Sequence, residues 1–81
     1  MKERVLKVLT NALPQIDFES TESLVDDGLL DSLSIVILVS ALSMEFGVIF
    51  DLDELTPDNL NSLDAITETI KKIKEHENSK V

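Results

Sequence analysis

The chain has 81 residues, with 7 basic and 16 acidic side chains, a formal net charge of −9 and no cysteine. A domain of this length buries only roughly 60% of the surface its unfolded form exposes, so a deep catalytic cleft is not expected. The negative charge repels nucleic acid and anionic lipid, and the lack of cysteine excludes a disulfide framework, a thiolate nucleophile and a cysteine-based metal centre.

The charge is unevenly placed. Every basic residue lies near an end of the chain, and none falls between Val8 and Ile70. That interval carries thirteen acids, a field that steers toward basic protein surfaces. Glu3, Arg4 and Lys7 stand where a secretory signal would need its apolar run, and the uncharged stretch Leu33 to Met44 is too short to span a bilayer. A soluble, cytoplasmic, monomeric chain without membrane insertion is therefore expected. One domain over residues 1–75, followed by a frayed tail at 76–81, is the expected organisation.

In chain order, the first helix is predicted from about Lys2 to Leu13, with Val5, Leu9, Ala12 and Ile16 at one-face spacing and Pro14 ending it. A loop from Pro14 to Asp31 follows, long enough to need pinning, with Ile16, Phe18, Leu24 and Leu29 as the expected pins. The second helix should open at the Asp31-Ser32-Leu33 triplet with Asp31 as N-cap, and close near Phe46 with Gly47 as its stop. Thr56, Pro57 and Asp58 form a helix-start signature, but only about one turn of chain follows. A fourth helix starts with Ser62 as cap and shows Leu63, Ile66, Ile70 and Ile73 at steps of three and four, with Lys71, Lys72 and Lys74 near its negative end. The fold class is thus all-α, a small four-helix bundle whose third helix is short.

The second helix has two apolar stripes. Ile35, Leu38, Val39, Leu42 and Phe46 form one, while Leu33, Val36, Ile37, Ser40 and Met44 form the other, about 180° away at 100° per residue. A helix apolar all round is normally buried all round, and four short helices cannot supply that cover. The bulky first stripe is assigned to the core and the second, with its serine and adaptable methionine, to a partner, giving Val36, Ile37, Ser40 and Met44 as the candidate contact residues. The competing readings are that the second stripe packs under the long loop or forms a homodimer.

Ser32 has no evident base. A nucleophilic hydroxyl needs one adjacent, and the sole histidine, His76, falls in the expected tail, so no catalytic residue is assigned. Asp51, Asp53 and Glu54 lack the later ligands and central glycine of a calcium loop, so no metal site is assigned either. Ser32 does have a helix N-terminus, where free N–H groups and the dipole favour an anion, although position alone makes it an ordinary capping-type residue.

The segment SLVDDGLLDSLSIVILVSALSMEFG, followed by LTPDNLNSLDAI, resembles the carrier protein family, which comprises acyl carrier proteins and the related peptidyl and D-alanyl carriers. The resemblance is strongest from Leu24 to Ile70. It implies a four-helix bundle bearing a covalent phosphopantetheine arm on Ser32, with Leu33 flanking it and Asp31 flanking it for recognition by a transferase that takes the arm from coenzyme A. It further implies a non-enzymatic carrier whose cargo rides as a thioester between a loading ligase and a downstream synthase. Fatty-acid-type carriers display several acids on the second helix, whereas this one has Ser34, Ile37, Ser43 and Met44 at matching positions. The form GLLDSL also occurs among carriers of amino acids. A free-standing acyl carrier of a specialised lipid or polyketide pathway is the expectation; the alternatives are a free-standing aminoacyl or peptidyl carrier and an unmodified helical interaction module.

Overall fold

The computed structural model describes the backbone of residues 1–78 and the side chains of residues 1–76. Four α-helices follow one another: α1 (Lys2–Ala12), α2 (Ser32–Phe46), α3 (Pro57–Leu60) and α4 (Leu63–Asn78). A single 3-10 turn over Leu52–Glu54 precedes α3. The all-α class, the helix order and the short third helix agree with expectation.

Helix α1 turns Val5 and Leu9 inward and leaves Ala12 half-buried. It stops where Leu13 leaves the helical region at φ −132°, as the ring of Pro14 requires of the residue before it. The loop that follows is pinned by Ile16, Phe18 and Leu24, all buried. The fourth expected pin is corrected: Leu29 is 43% exposed and its neighbour Leu30, 3% exposed, enters the core instead. The cause is a tight turn in which the N–H groups of Leu29 and Leu30 both donate to the carbonyl of Leu24, at 2.9 and 3.0 Å, with Gly28 at φ +78°. A positive φ of that size suits glycine, and the turn rather than any hydropathy period selects which leucine points inward.

A second anchor comes from the end of α3. The Asn61 carbonyl accepts from Leu24 N–H at 2.8 Å, and its side-chain oxygen accepts from Val25 and Asp26 N–H at 2.9 and 3.1 Å. One asparagine thus satisfies three loop donors that no helix or strand could pair.

Pro57 opens α3 beneath its Thr56 cap, whose hydroxyl accepts from Asn59 N–H at 3.3 Å. Helix α4 is capped by Ser62, whose hydroxyl accepts from Ala65 N–H at 3.1 Å. It buries Leu63, Ile66, Ile70 and Ile73, and two threonines besides. Thr67 and Thr69 enter the core because their hydroxyls donate back to the carbonyls of Leu63 and Ala65, each at 2.8 Å, so no donor is stranded. The helix reaches Asn78, so it includes the first residues of the segment expected as a tail; residues 79–81 of that segment lie outside the described residues.

Helix α1 packs on both α2 and α4, and α3 packs on α4. Two ion pairs fasten the start of α1: Lys2 to Asp64 of α4 at 2.7 Å, and Arg4 to Glu45 of α2 at 2.6 Å. Two of the thirteen acids without a nearby basic residue in sequence are therefore paired in space. Among the described residues no helix is long and apolar enough to cross a membrane.

Candidate functional site at the start of α2

The approach to α2 is acidic and exposed. Asp26, Asp27, Gly28 and Leu29 face solvent, Leu30 dives into the core, and Asp31 returns to the surface as the N-cap. Asp31 is extended at φ −89° and ψ −177°, and its Oδ1 accepts from Ser34 N–H at 2.8 Å. This interaction with Ser34 holds its carboxyl below the usual value of 3.8, because the charged form is the better acceptor. The cap is Asp31, and Ser32 is the first residue of the helix itself.

Ser32 is therefore released from capping. Its side chain is exposed, and no described residue forms a hydrogen bond with its hydroxyl. Ser32 belongs to the first turn of α2, at the positive end of the helix dipole, where Asp31 already takes the Ser34 N–H. A phosphate ester formed there would meet partial positive charge and open solvent, and would displace no existing contact. Leu33, 69% exposed, follows it as an apolar flank.

His76 lies on α4, in the wall of a surface cavity of about 490 Å³ together with Glu54, Asn59 and Lys72, and Ser32 is not among the residues lining that cavity. The acids Asp51, Asp53 and Glu54 are used locally: Asp53 and Glu54 belong to the 3-10 turn, and Asp51 N–H donates to Glu54 Oε1 at 3.4 Å. Among the described residues no three His, Asp or Glu side chains converge as a metal would require. The start of α2 presents an exposed hydroxyl at a capped helix N-terminus.

Beyond Ser32, α2 separates its stripes as expected, with a narrower core side. Leu38, Leu42 and Phe46 are buried, while Ile35 and Val39 are half-buried against them. Leu33, Val36, Ile37, Ser40 and Met44 are exposed, Met44 at 88%. The loop does not cover this stripe. Gly47 closes the helix in the left-handed region at φ +66°, its N–H donating to Ser43 O at 2.9 Å.

Sequence reasoning missed Asn61 and Arg4, the residues that hold the loop and the far end of α2. Both act over long separations, which no local pattern encodes. A protein-family model described as a phosphopantetheine attachment site matches residues 2–70 of the chain. No curated protein and no solved structure gave a significant match.

Proposed function

The chain belongs to the phosphopantetheine attachment family, a carrier group whose members bear that arm covalently, and from this premise we propose that Ser32 is the attachment residue and that the cargo is an acyl group. The observation that supports Ser32 most directly is its exposed hydroxyl, uncommitted to any described side chain and set at the start of a capped helix. The residues around it fit the group in part: the helix N-terminus favours the phosphate, Asp31 orders the helix start while its carboxylate takes the Ser34 N–H for itself, and Leu33 gives an apolar flank. When bound, the arm supplies a terminal thiol that holds cargo as a thioester.

The chain's own contribution is presentation. A carrier needs no general base of its own, because a phosphopantetheinyl transferase supplies it. Val36, Ile37, Ser40 and Met44 form the face offered to the loading ligase and the downstream synthase. A second reading, an aminoacyl or peptidyl carrier, is favoured by one feature, the absence of charged residues from Ser32 to Met44.

Intact mass before and after incubation with coenzyme A and a broad-specificity phosphopantetheinyl transferase tests the assignment. One added phosphopantetheine is expected on the parent protein and none on Ser32→Ala. A mass gain retained in Ser32→Ala would move the site elsewhere. A folded, initially unmodified protein that gains nothing would favour an interaction module. Competition between acyl and aminoacyl donors for the loaded form then decides the cargo.

A further inference from the structure

We propose that Asn61 is a positioning residue for Ser32: by clasping Asp26 and its neighbours from the junction of α3 and α4, it fixes the turn that delivers the serine to the start of α2. The attachment of the arm at Ser32 is taken from the carrier reading, whereas the clasp is read from geometry.

The side-chain amide of Asn61 is used at both ends. Its Oδ1 accepts from Val25 and Asp26 N–H at 2.9 and 3.1 Å, and its Nδ2 donates to Asp26 Oδ2 at 3.2 Å. The reverse orientation would set the amide NH2 against two N–H donors and its oxygen against a carboxylate, so the partners allow only one. The main-chain carbonyl of Asn61 adds a bond from Leu24 N–H at 2.8 Å. Four bonds thus join one residue to three consecutive residues of the loop, and buried Leu60 and Leu63 hold the backbone of Asn61 on either side.

Beyond the clasp the turn closes on itself. Asp27 N–H donates to Ser23 O at 2.8 Å, Gly28 N–H to Val25 O at 3.1 Å, and Leu29 and Leu30 N–H to Leu24 O at 2.9 and 3.0 Å. These bonds shape the turn without tying it to a helix, which leaves that task to Asn61 and to the burial of Leu24 and Leu30. Asp31 follows as the cap and Ser32 as the first residue of α2, so little chain separates the turn from the hydroxyl. Without the clasp the turn would sample other arrangements, and a transferase would meet the presented form only part of the time. Apparent affinity then falls by the populated fraction while chemistry in the bound complex is unchanged. The expected signature is a raised KM at constant kcat.

The test pairs kinetics of arm transfer from coenzyme A, by a broad-specificity phosphopantetheinyl transferase, with amide exchange of the unmodified proteins. Asn61→Asp sets a second carboxylate against Asp26 and should raise KM for the carrier about tenfold at unchanged kcat. Exchange at Leu29, Leu30 and Ser34 should quicken roughly tenfold relative to Ile70 in the α4 core. Asn61→Asp combined with Asp26→Asn exchanges donor and acceptor across the same contact, and should restore both the KM and the protection. Ile70→Val lowers stability from within α4 and should leave KM at the parent's value, which separates positioning from a general loss of stability.

Asn61→Ala removes the clasp without adding charge; it should shift KM and exchange in the same direction and serves if Asn61→Asp does not fold. A KM indifferent to Asn61, an equal rise in Ile70→Val, a fall in kcat alone, or no recovery in the double variant would overturn the inference. A folded, initially unmodified parent that accepts no arm, yet shows the exchange pattern across the variants, would sink the carrier reading and leave the hold of Asn61 on the Ser32 turn intact.

Discussion

Helices α2 and α4 have nearly the same length, 15 and 16 residues, but they spend their apolar residues differently. Helix α4 buries Leu63, Ile66, Ile70 and Ile73 and turns Asp64, Glu68, Lys71 and Lys72 to solvent. It is an amphipathic core helix whose sequence is explained by the fold. Helix α2 buries Leu38, Leu42 and Phe46 in the same way and then exposes a second apolar stripe that contributes little to the core. That surplus costs solubility and is not needed to build the core, which is the contrast on which the proposed partner face rests.

The largest expected effect tests whether the inner faces are equivalent. Leu38→Ala and Leu42→Ala in α2 and Ile66→Ala and Ile70→Ala in α4 all remove fully buried side chains. Each should cost roughly 2–5 kcal/mol, a large share of the stability of so small a domain. Denaturant titrations of the four variants are the measurement. A tolerant Leu42→Ala beside a collapsed Ile70→Ala would mean that α2 is only loosely seated.

Next in size is the joint between the two helices. Asn61 ties the loop that leads into α2 to the chain just before α4, through its side-chain bonds to Val25 and Asp26 N–H. Asn61→Ala leaves those donors without their partner and should cost about 1–3 kcal/mol. Amide exchange should quicken at Val25 and Asp26 while the α4 core amides change only with global stability. Uniform loss of protection, without extra exchange at those two sites, would show that the joint has no local role.

The outer faces should diverge in function and hardly at all in stability. Ile37→Glu places a charge on an exposed stripe, so its melting temperature should stay within a few degrees of the parent, as should that of Glu68→Lys on α4. Only Ile37→Glu should slow cargo transfer on the modified protein, since its charge must be desolvated when a partner docks. Comparable transfer rates for the two variants would remove the distinction between the faces.

Much of this contrast was legible in the sequence. The Asp31 cap, the Gly47 stop, the Thr56-Pro57 start and the opposed stripes of α2 are all local signals, readable within a few residues. The rest depends on where the chain returns. Leu29 and Leu30 are indistinguishable by type, and a turn closed on Leu24 decides which is buried. The Arg4–Glu45 pair spans 41 positions and the Asn61 contacts 35 or 36, distances at which a sequence shows only that opposite charges or polar groups exist. The 3-10 turn at Leu52–Glu54 is a single turn, too short to show a hydrophobic period.

The smallest expected effect compares how the two helices begin. Helix α2 is capped by a carboxylate and α4 by a hydroxyl, Asp31 accepting from Ser34 N–H at 2.8 Å and Ser62 from Ala65 N–H at 3.1 Å. Only the first can titrate. Because the Ser34 bonds lower the folded pKa of Asp31 from 3.8, the charged form favours the folded state, and its contribution is complete above 3.8. As the pH falls below that value and through the folded pKa, Asp31 takes up a proton, the cap weakens and the contribution is lost. In an acid titration followed by amide chemical shifts, Ser34 should therefore move with a midpoint below 3.8 while Ala65 shows no such transition. Asp31→Asn should keep a capping oxygen and abolish the Ser34 transition, since asparagine caps helices about as well without ionising. A midpoint at or above 3.8, or the same transition at Ala65, would mean that the acid response belongs to the bundle as a whole and not to the start of α2.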